Sequence, residues 1–543
     1  MRLLLGLLLT SLLASTATFA ETPLPQLRKT GDATQLIVNG SPFLIRGGEL
    51  GNSSASNLDY LRPYWHKLKA MHLNTVLAPV YWELIEPTEG QFDFASVDGL
   101  IRDARAADMH LVLLWFGSWK NSMSTYVPTW VKRDQRRFPR AKAEDGRSQE
   151  ILSALEPNNW GADAKAFAAL MSHLRKFDAD KTVLMIQVEN EVGFLPSPRE
   201  HGSAADRLFS GAVPAQLTTY LSNNHERLVP ALRTLWEQHG SKTKGSWKEL
   251  FGSEAAGEEV FMAWQYAKYV ETVTAAGKHT YDLPMYVNVA LNRPAYPPGK
   301  YPSGGAVPHL IDVWKAGTPS IDMISPDIYF PNFSELMAHY DRKDNALFIP
   351  EANNAGRPES TADALLAIGA HRAIGYSPFS IENATSEGQA RIEQAYTLLE
   401  QLTPVILEAQ RKGSIRAARP PVSFDGKVDD SPQTIVLGDH AFKVEFVYPW
   451  SPRDQQNIAA HGVLIVQIDR DEYYVVGSGL SIAVGPHDGR GFVGFDKVWE
   501  GEFKDGHWQA GRLLNGDQTH QGRRLLFEAD RFQIQRVKLY GYQ

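Results

Sequence analysis

Three features predict an α/β chain organised as a (β/α)8 (TIM) barrel followed by a C-terminal β-sandwich. Eight short apolar runs recur between about residues 36 and 406. Amphipathic helical stretches separate several of them. Past a polar, proline-bearing stretch the pattern changes to closely spaced strand-like segments divided by turn residues.

The apolar runs are 43–47, 75–80, 111–116, 182–188, 285–289, 322–328, 346–350 and 374–381. Most are continuous and do not alternate, as expected of parallel strands covered on both faces. Between them, 57–72 carries Leu58, Leu61, Trp65, Leu68 and Met71 at helical spacing, and 95–107 is similar. Stretch 163–177 places Phe167, Leu170, Met171 and Leu174 on one side. An open doubly wound sheet is the alternative; the strand count and the lack of a Gly-rich phosphate turn after the first strand weigh against it. Two connections are long. Residues 194–283 follow the fourth strand and include helical stretches 213–239 and 257–276, and 291–318 after the fifth is rich in Pro, Gly and Tyr. In a barrel such insertions stand over the C-terminal face. Tyr296 and Tyr301 are candidates to line a groove there, or to pack the loop against itself.

The chain divides into a leader at 1–20, a barrel at 21–410, a linker at 411–424 and a β-sandwich at 425–543. Arg2, the apolar core 3–13 and the small-x-small site Thr18-Phe19-Ala20 form an export signal, directing the chain to the periplasm or the medium. Its apolar core is shorter than the ~20 residues a bilayer span needs, and no other segment is long and apolar enough to span. The chain has no cysteine, which excludes disulfides, thiolate metal sites and a lipid-bearing cysteine. The formal charge of -7 comes with no basic stripe, against a nucleic-acid partner. The 16 histidines are scattered, with no HExxH pair, P-loop or nucleophile elbow. No metal or cofactor is expected, and the oligomeric state stays open.

The chemistry concentrates at strand ends. The fourth strand runs into QVENEVG, with Glu189, Asn190 and Glu191, and the seventh into FIPEANNAG, with Glu351. Carboxylates are costly to bury without partners. On a parallel barrel both ends face one mouth. Two carboxylates aimed at one point are what glycoside cleavage requires: one protonates the departing oxygen, while the other attacks the anomeric carbon or activates water. Taken singly, each is more commonly a solvated or salt-bridged strand-end residue. Glu189 reads as a structural carboxylate tied to a cation.

QVENEVG resembles the QVENEYG motif of glycoside hydrolase family 35, the β-galactosidases of the large clan of retaining (β/α)8 glycosidases. Trp82 to Phe94 (WELIEPTEGQFDF) resembles the W-x-x-x-E-P-x-x-G-x-F-x-F signature shared by families 35 and 42. Val127-Pro128-Thr129-Trp130 resembles their P-x-W segment after strand three. The resemblance spans most of 36–406, and the tail looks like an accessory domain of some bacterial members. It implies Glu191 as acid/base, preceded by Asn190 as a contact to a substrate hydroxyl, and Glu351 as nucleophile. It also implies that Tyr329, at the end of strand six, hydrogen-bonds that nucleophile. Departures from the family pattern are Val192 in place of its Tyr, IRGGELGNSS at strand one, and FGSWKN in place of its Glu-containing segment after strand three.

Further candidate substrate contacts are Trp82, Trp115 and Trp119 as stacking platforms, and Asn121, with Asn288 and Asn353 as weaker polar candidates. Glu382 reads as a galactose or loop contact. Glu49, with Arg46, either holds the site's hydrogen-bond network or forms a structural ion pair. The expected partner is a β-galactoside oligosaccharide or polysaccharide, with terminal galactose on plant cell-wall xyloglucan as one source. A clan relative with other sugar choice (a β-glucosidase or endo-β-glycanase) and a non-catalytic glycan-binding protein are the alternatives.

Overall fold

The computed structural model describes residues 22–353 and 355–543; the leader expected at 1–20 lies outside the described residues. Eight parallel strands form the central sheet: β1 (Ile45–Glu49), β2 (Thr75–Tyr81), β3 (His110–Lys120), β4 (Val183–Asn190), β5 (Met285–Ala290), β6 (Met323–Asp327), β7 (Ile349–Ala352) and β8 (Gly375–Pro378). Their order is β6-β5-β4-β3-β2-β1-β8-β7. The free edges meet where Ile328 N–H donates to Glu351 O (2.9 Å) and Asn353 N–H to Ile328 O (3.1 Å). A sequential order whose ends join is a barrel, and the doubly wound alternative falls. The strands are buried almost throughout, which is why they read as unbroken apolar runs.

Two expected helices are broken, each at a proline. Stretch 57–72 becomes Leu58–Leu61, a 3-10 turn Arg62–Tyr64 and Trp65–Ala70, because Pro63 has no N–H to continue the ladder. Stretch 213–239 becomes Ala215–Asn223 and Pro230–Gln238, with Pro230 at the first helical position, where its missing N–H costs nothing. Ahead of β1, a three-stranded antiparallel sheet (Gln26–Thr30, Ala33–Val38, Ser41–Phe43) packs Phe43 edge-on against His110 at the start of β3, ring centroids 5.3 Å apart. It therefore lies at the end of the barrel opposite the carboxylates. Among the described residues no helix is long and apolar enough to cross a membrane.

The tail forms two antiparallel sheets. One has six strands, in the order Ile415–Ala418, Gly462–Asp469, Glu472–Ser478, Gln533–Tyr542, Phe492–Lys504, His507–Leu513. The other has four: Gln433–Leu437, His440–Glu445, Leu480–Pro486, Leu525–Phe527. Val463, Ile465, Tyr473 and Val475 point between the sheets, against Phe442, Ile482 and Phe527. Their alternates Leu464, Val466, Tyr474 and Val476 join the barrel core. Strands Gly462–Asp469 and Glu472–Ser478 are thus covered on both faces, with helices Ser360–Gly369 and Ser386–Lys412 on the outer side, while Phe492–Lys504 and His507–Leu513 are largely half-buried or exposed. Residues 411–424, expected as a linker, differ from that reading. The helix runs to Lys412, and Ile415–Ala418 is an edge strand paired with Gly462–Asp469. Its alternating side chains bury Ile415 in one core and Ala418 in the other, so the segment is held on both sides.

Candidate active site

The C-terminal ends of β1, β3, β4, β5, β6 and β7 converge on one mouth. Glu191 stands one residue beyond β4. It and Glu189 both have left-handed backbone, φ +46° and +62°, on either side of Asn190. For residues other than glycine that conformation costs about 1–3 kcal/mol each and persists where surroundings enforce it, most often at functional sites. Here the local reason is a set of fixed partners. Glu191 N–H donates to Asn288 Oδ1 (2.9 Å), and Asn190 Oδ1 accepts from Lys120 Nζ (2.7 Å). Glu189 Oε2 accepts from Trp119 N–H (2.9 Å).

The two expected catalytic carboxyls meet. One oxygen each of Glu191, Asp327 and Glu351 lies within 4.8 Å of the others, and all three residues are buried. Asn121 Nδ2 donates to Glu191 Oε2 (2.5 Å). Tyr329 OH donates to Glu351 Oε2 (2.6 Å), and Asn288 Nδ2 reaches Glu351 Oε1 (3.2 Å) and Asp327 Oδ2 (2.8 Å). Asn190 Nδ2 is buried without a protein acceptor among the described residues, a donor left for a ligand hydroxyl. The cluster is compact enough for a cation in distance alone. N–H and O–H donors reach one oxygen of Glu191, one of Asp327 and both of Glu351.

Burial dominates the electrostatics. It pushes the Glu191 carboxyl up to about 7, helped by the charge of Glu351 and opposed by Lys120 and by a hydrogen bond with Asp327. Burial, then the Glu351 charge, holds Glu49 and Asp327 well above the usual carboxylate range. Tyr329 is raised for the same two reasons and is a neutral donor at every working pH. Replacing Tyr329 by Phe removes a hydrogen bond to a charged acceptor, which is about 1.5–3 kcal/mol. Steady-state kinetics of that variant are expected to give a fall of roughly 10–100-fold in kcat/KM.

Other expected residues take different places. Trp82 is fully buried, its Nε1 donating to Glu86 Oε2 (2.8 Å) and its ring packed on Trp115 and Trp130; it offers no face to a sugar. Trp119 is likewise fully buried, edge-on to Tyr266 and Tyr269, and acts through its backbone N–H on Glu189. Trp82 is a core residue because a ring of that area is worth most where it is fully covered, whereas Trp119 keeps an Nε1 that is buried with no acceptor among the described residues. Glu382 Oε1 accepts from Gly51 N–H (2.9 Å) and the Ser54 hydroxyl, which ties the loop after β1 to the end of β8, while its Oε2 is buried with no donor among the described residues. Glu49 does reach the mouth, fully buried against the Glu351 carboxyl, with no donor on either oxygen among the described residues. Arg46 does not; it pairs with Glu400 at 2.8 Å. Among the described residues Glu189 meets no cation; it stands against Asp163, whose oxygens accept from Trp115 Nε1 (2.8 Å), Ser118 Oγ (2.6 Å) and Tyr269 OH (2.9 Å). Tyr301 is buried and Tyr296 half exposed.

Asp327 and Lys120 stand at the mouth, and motif reading passes over both. Asp327 shares strand parity with Tyr329 in PDIYF, and Lys120 is the one charge in the run LVLLWFGSWK. Either signal places the side chain at the mouth.

Residues 59–274 match the profile of glycoside hydrolase family 42, described as beta-galactosidase, and residues 392–526 match a domain of unknown function, DUF5597. A curated β-galactosidase of Xanthomonas manihotis is 29% identical over 176 residues, 30% of this chain and 25% of its own length. The chain thus spans a quarter of that relative. Among solved structures, the β-galactosidase of Bacillus circulans sp. alkalophilus aligns with 67% of this chain and 57% of its own, at 15% identity and TM-score 0.46. The catalytic domain of Paenibacillus polymyxa β-amylase aligns with 64% and 96%, at 13% identity and TM-score 0.45. Residues 59–274 are thus similar in sequence to β-galactosidase-type glycoside hydrolases. The matching profile belongs to one of the two families that share the Trp82–Phe94 signature and does not single out family 35.

Proposed function

We propose that the chain is an exported, exo-acting, retaining β-galactosidase that removes terminal β-galactose from oligosaccharides or polysaccharides, xyloglucan side chains among them. The observation that carries this reading is the approach of Glu191 and Glu351 to within 4.8 Å, oxygen to oxygen. Retaining glycosidases set their two carboxyls about 5–5.5 Å apart, whereas inverting ones need about 6.5–9.5 Å to fit a water. The leader at 1–20 supports export, QVENEVG supports the finer likeness to family 35, and the burial of both carboxyls supports attack on a chain end.

In this mechanism Glu351, aligned by Tyr329 and Asn288, attacks the anomeric carbon as Glu191 protonates the departing oxygen. The glycosyl-enzyme ester forms and the glycosidic C–O bond breaks. Glu191, now a carboxylate, takes a proton from water, which attacks the same carbon, frees Glu351 and regenerates the acid. The Glu191 carboxyl at about 7 is protonated below that pH and ionised above it. The basic limb of kcat/KM is therefore expected near pH 7, with activity falling tenfold per unit beyond it. A pH–rate profile on an aryl β-galactoside checks this. A screen of aryl glycosides tests the substrate: preference for β-glucoside would replace galactose by another sugar, and binding without turnover would make the barrel a glycan-binding module.

A further inference from the structure

Asp327, like Glu49, is a carboxyl of the mouth to which the two-carboxyl mechanism gives no task. It ends β6 at 2% exposure. Its Oδ2 accepts from Asn288 Nδ2, while Oδ1 is buried with no donor among the described residues. It is close enough to Glu191 for a hydrogen bond, and has an oxygen within 4.8 Å of both Glu191 and Glu351. The titratable groups that face it are Glu191 beyond β4, Glu351 on β7, Glu49 on β1, Lys120 on β3, Tyr286 on β5, and Tyr329 and Tyr340 after β6. Lys120, the cation among them, has its ammonium on Asn190.

An ionised Asp327 would set a second full negative charge against the nucleophile in a buried site. Like charges so placed do not both persist; one takes a proton. The reaction also moves charge without changing its total. At rest Glu351 is negative and Glu191 neutral, while in the glycosyl-enzyme Glu351 is an ester and Glu191 is negative. A neutral acid beside both can turn its O–H toward whichever is charged, since the carboxyl torsion of Asp is soft.

We infer that Asp327 is a proton-bearing positioning residue, a neutral acid that donates to Glu351 in the resting site and to Glu191 in the glycosyl-enzyme. Its own O–H bond stays intact throughout. The second half rests on the proposed glycosidase reading; the first half, a protonated Asp327, does not. Asn at this position keeps a neutral donor of the same shape, and Ala removes it. In Asp327→Asn, kcat on an aryl β-galactoside should fall less than about tenfold with both pH limbs in place, and in Asp327→Ala by roughly 100-fold with the acidic limb moved to higher pH. A basic limb displaced downward by a unit or more in Asp327→Asn would mean that a negative charge had been removed, and overturns the inference. Equal losses in the two variants overturn it as well. Infrared spectra of the full chain carrying side-chain carbon-13 aspartate give a readout without turnover. A protonated-carboxyl C=O band at pH 7 in wild type that is missing from Asp327→Asn supports a neutral Asp327, and its absence from wild type overturns it, whether or not the chain proves to be a galactosidase.

Discussion

Replacement of Glu351 by Ala is expected to lower kcat on an aryl β-galactoside by roughly 10⁴-fold or more. The variant loses the atom that forms the covalent intermediate, and no other carboxylate can take over. Glu49 and Asp327 are held well above the usual range by burial, and Glu191 is committed as the acid. Tyr329 and Asn288 keep their positions and still outline the space the carboxylate occupied. Azide is small enough to enter it. Attack from that side once, with no second displacement, gives an α-galactosyl azide of inverted configuration. Product analysis by NMR is the check. An α-azide identifies the nucleophile, whereas undiminished activity removes Glu351 from the mechanism.

Replacement of Glu191 by Ala should cost about 10²–10⁴-fold on substrates whose leaving group needs a proton. A phenolate of low pKa leaves unaided, so with such an aryl galactoside the first step survives and the loss moves to the second, where water is no longer activated. The enzyme then accumulates as its galactosyl ester. Added azide intercepts the ester from the opposite side and yields a β-galactosyl azide, restoring turnover. Opposite azide anomers from the two variants would assign the two roles independently of any resemblance. The basic limb near pH 7 should also vanish from the Glu191→Ala profile, since the group that titrates there is gone.

The barrel was legible because parallel strands covered on both faces write themselves as apolar runs, and the run 346–350 missed its strand only by sliding a few residues toward the N-terminus of Ile349–Ala352. The meeting of Glu191 and Glu351 was legible because both end a strand of one sheet. Helix continuity misled at Pro63 and Pro230, where apolar spacing continued across a residue that cannot continue the hydrogen bonding. Residue type alone misled at Trp82: an indole is equally suited to a sugar face and to a core, and only packing chooses. The partner of Glu189 was out of reach because Asp163 arrives from a helix packed outside the barrel, a contact no local spacing encodes. Asp327 stayed hidden inside DMISPDI, whose apolar neighbours mark a strand and distract from the acid at its end.

The six-stranded sheet serves two interiors at once, and this bears on how the molecule can be taken apart. Removing everything after Lys412 would strip the lining from helices Ser360–Gly369 and Ser386–Lys412 and lay bare a greasy flank of the barrel. Excising the tail alone would leave Leu464, Val466, Tyr474 and Val476 facing water as a sticky plane. Neither half is a freestanding product, so any shortened version would need those contacts redesigned with polar side chains before it could be handled in solution.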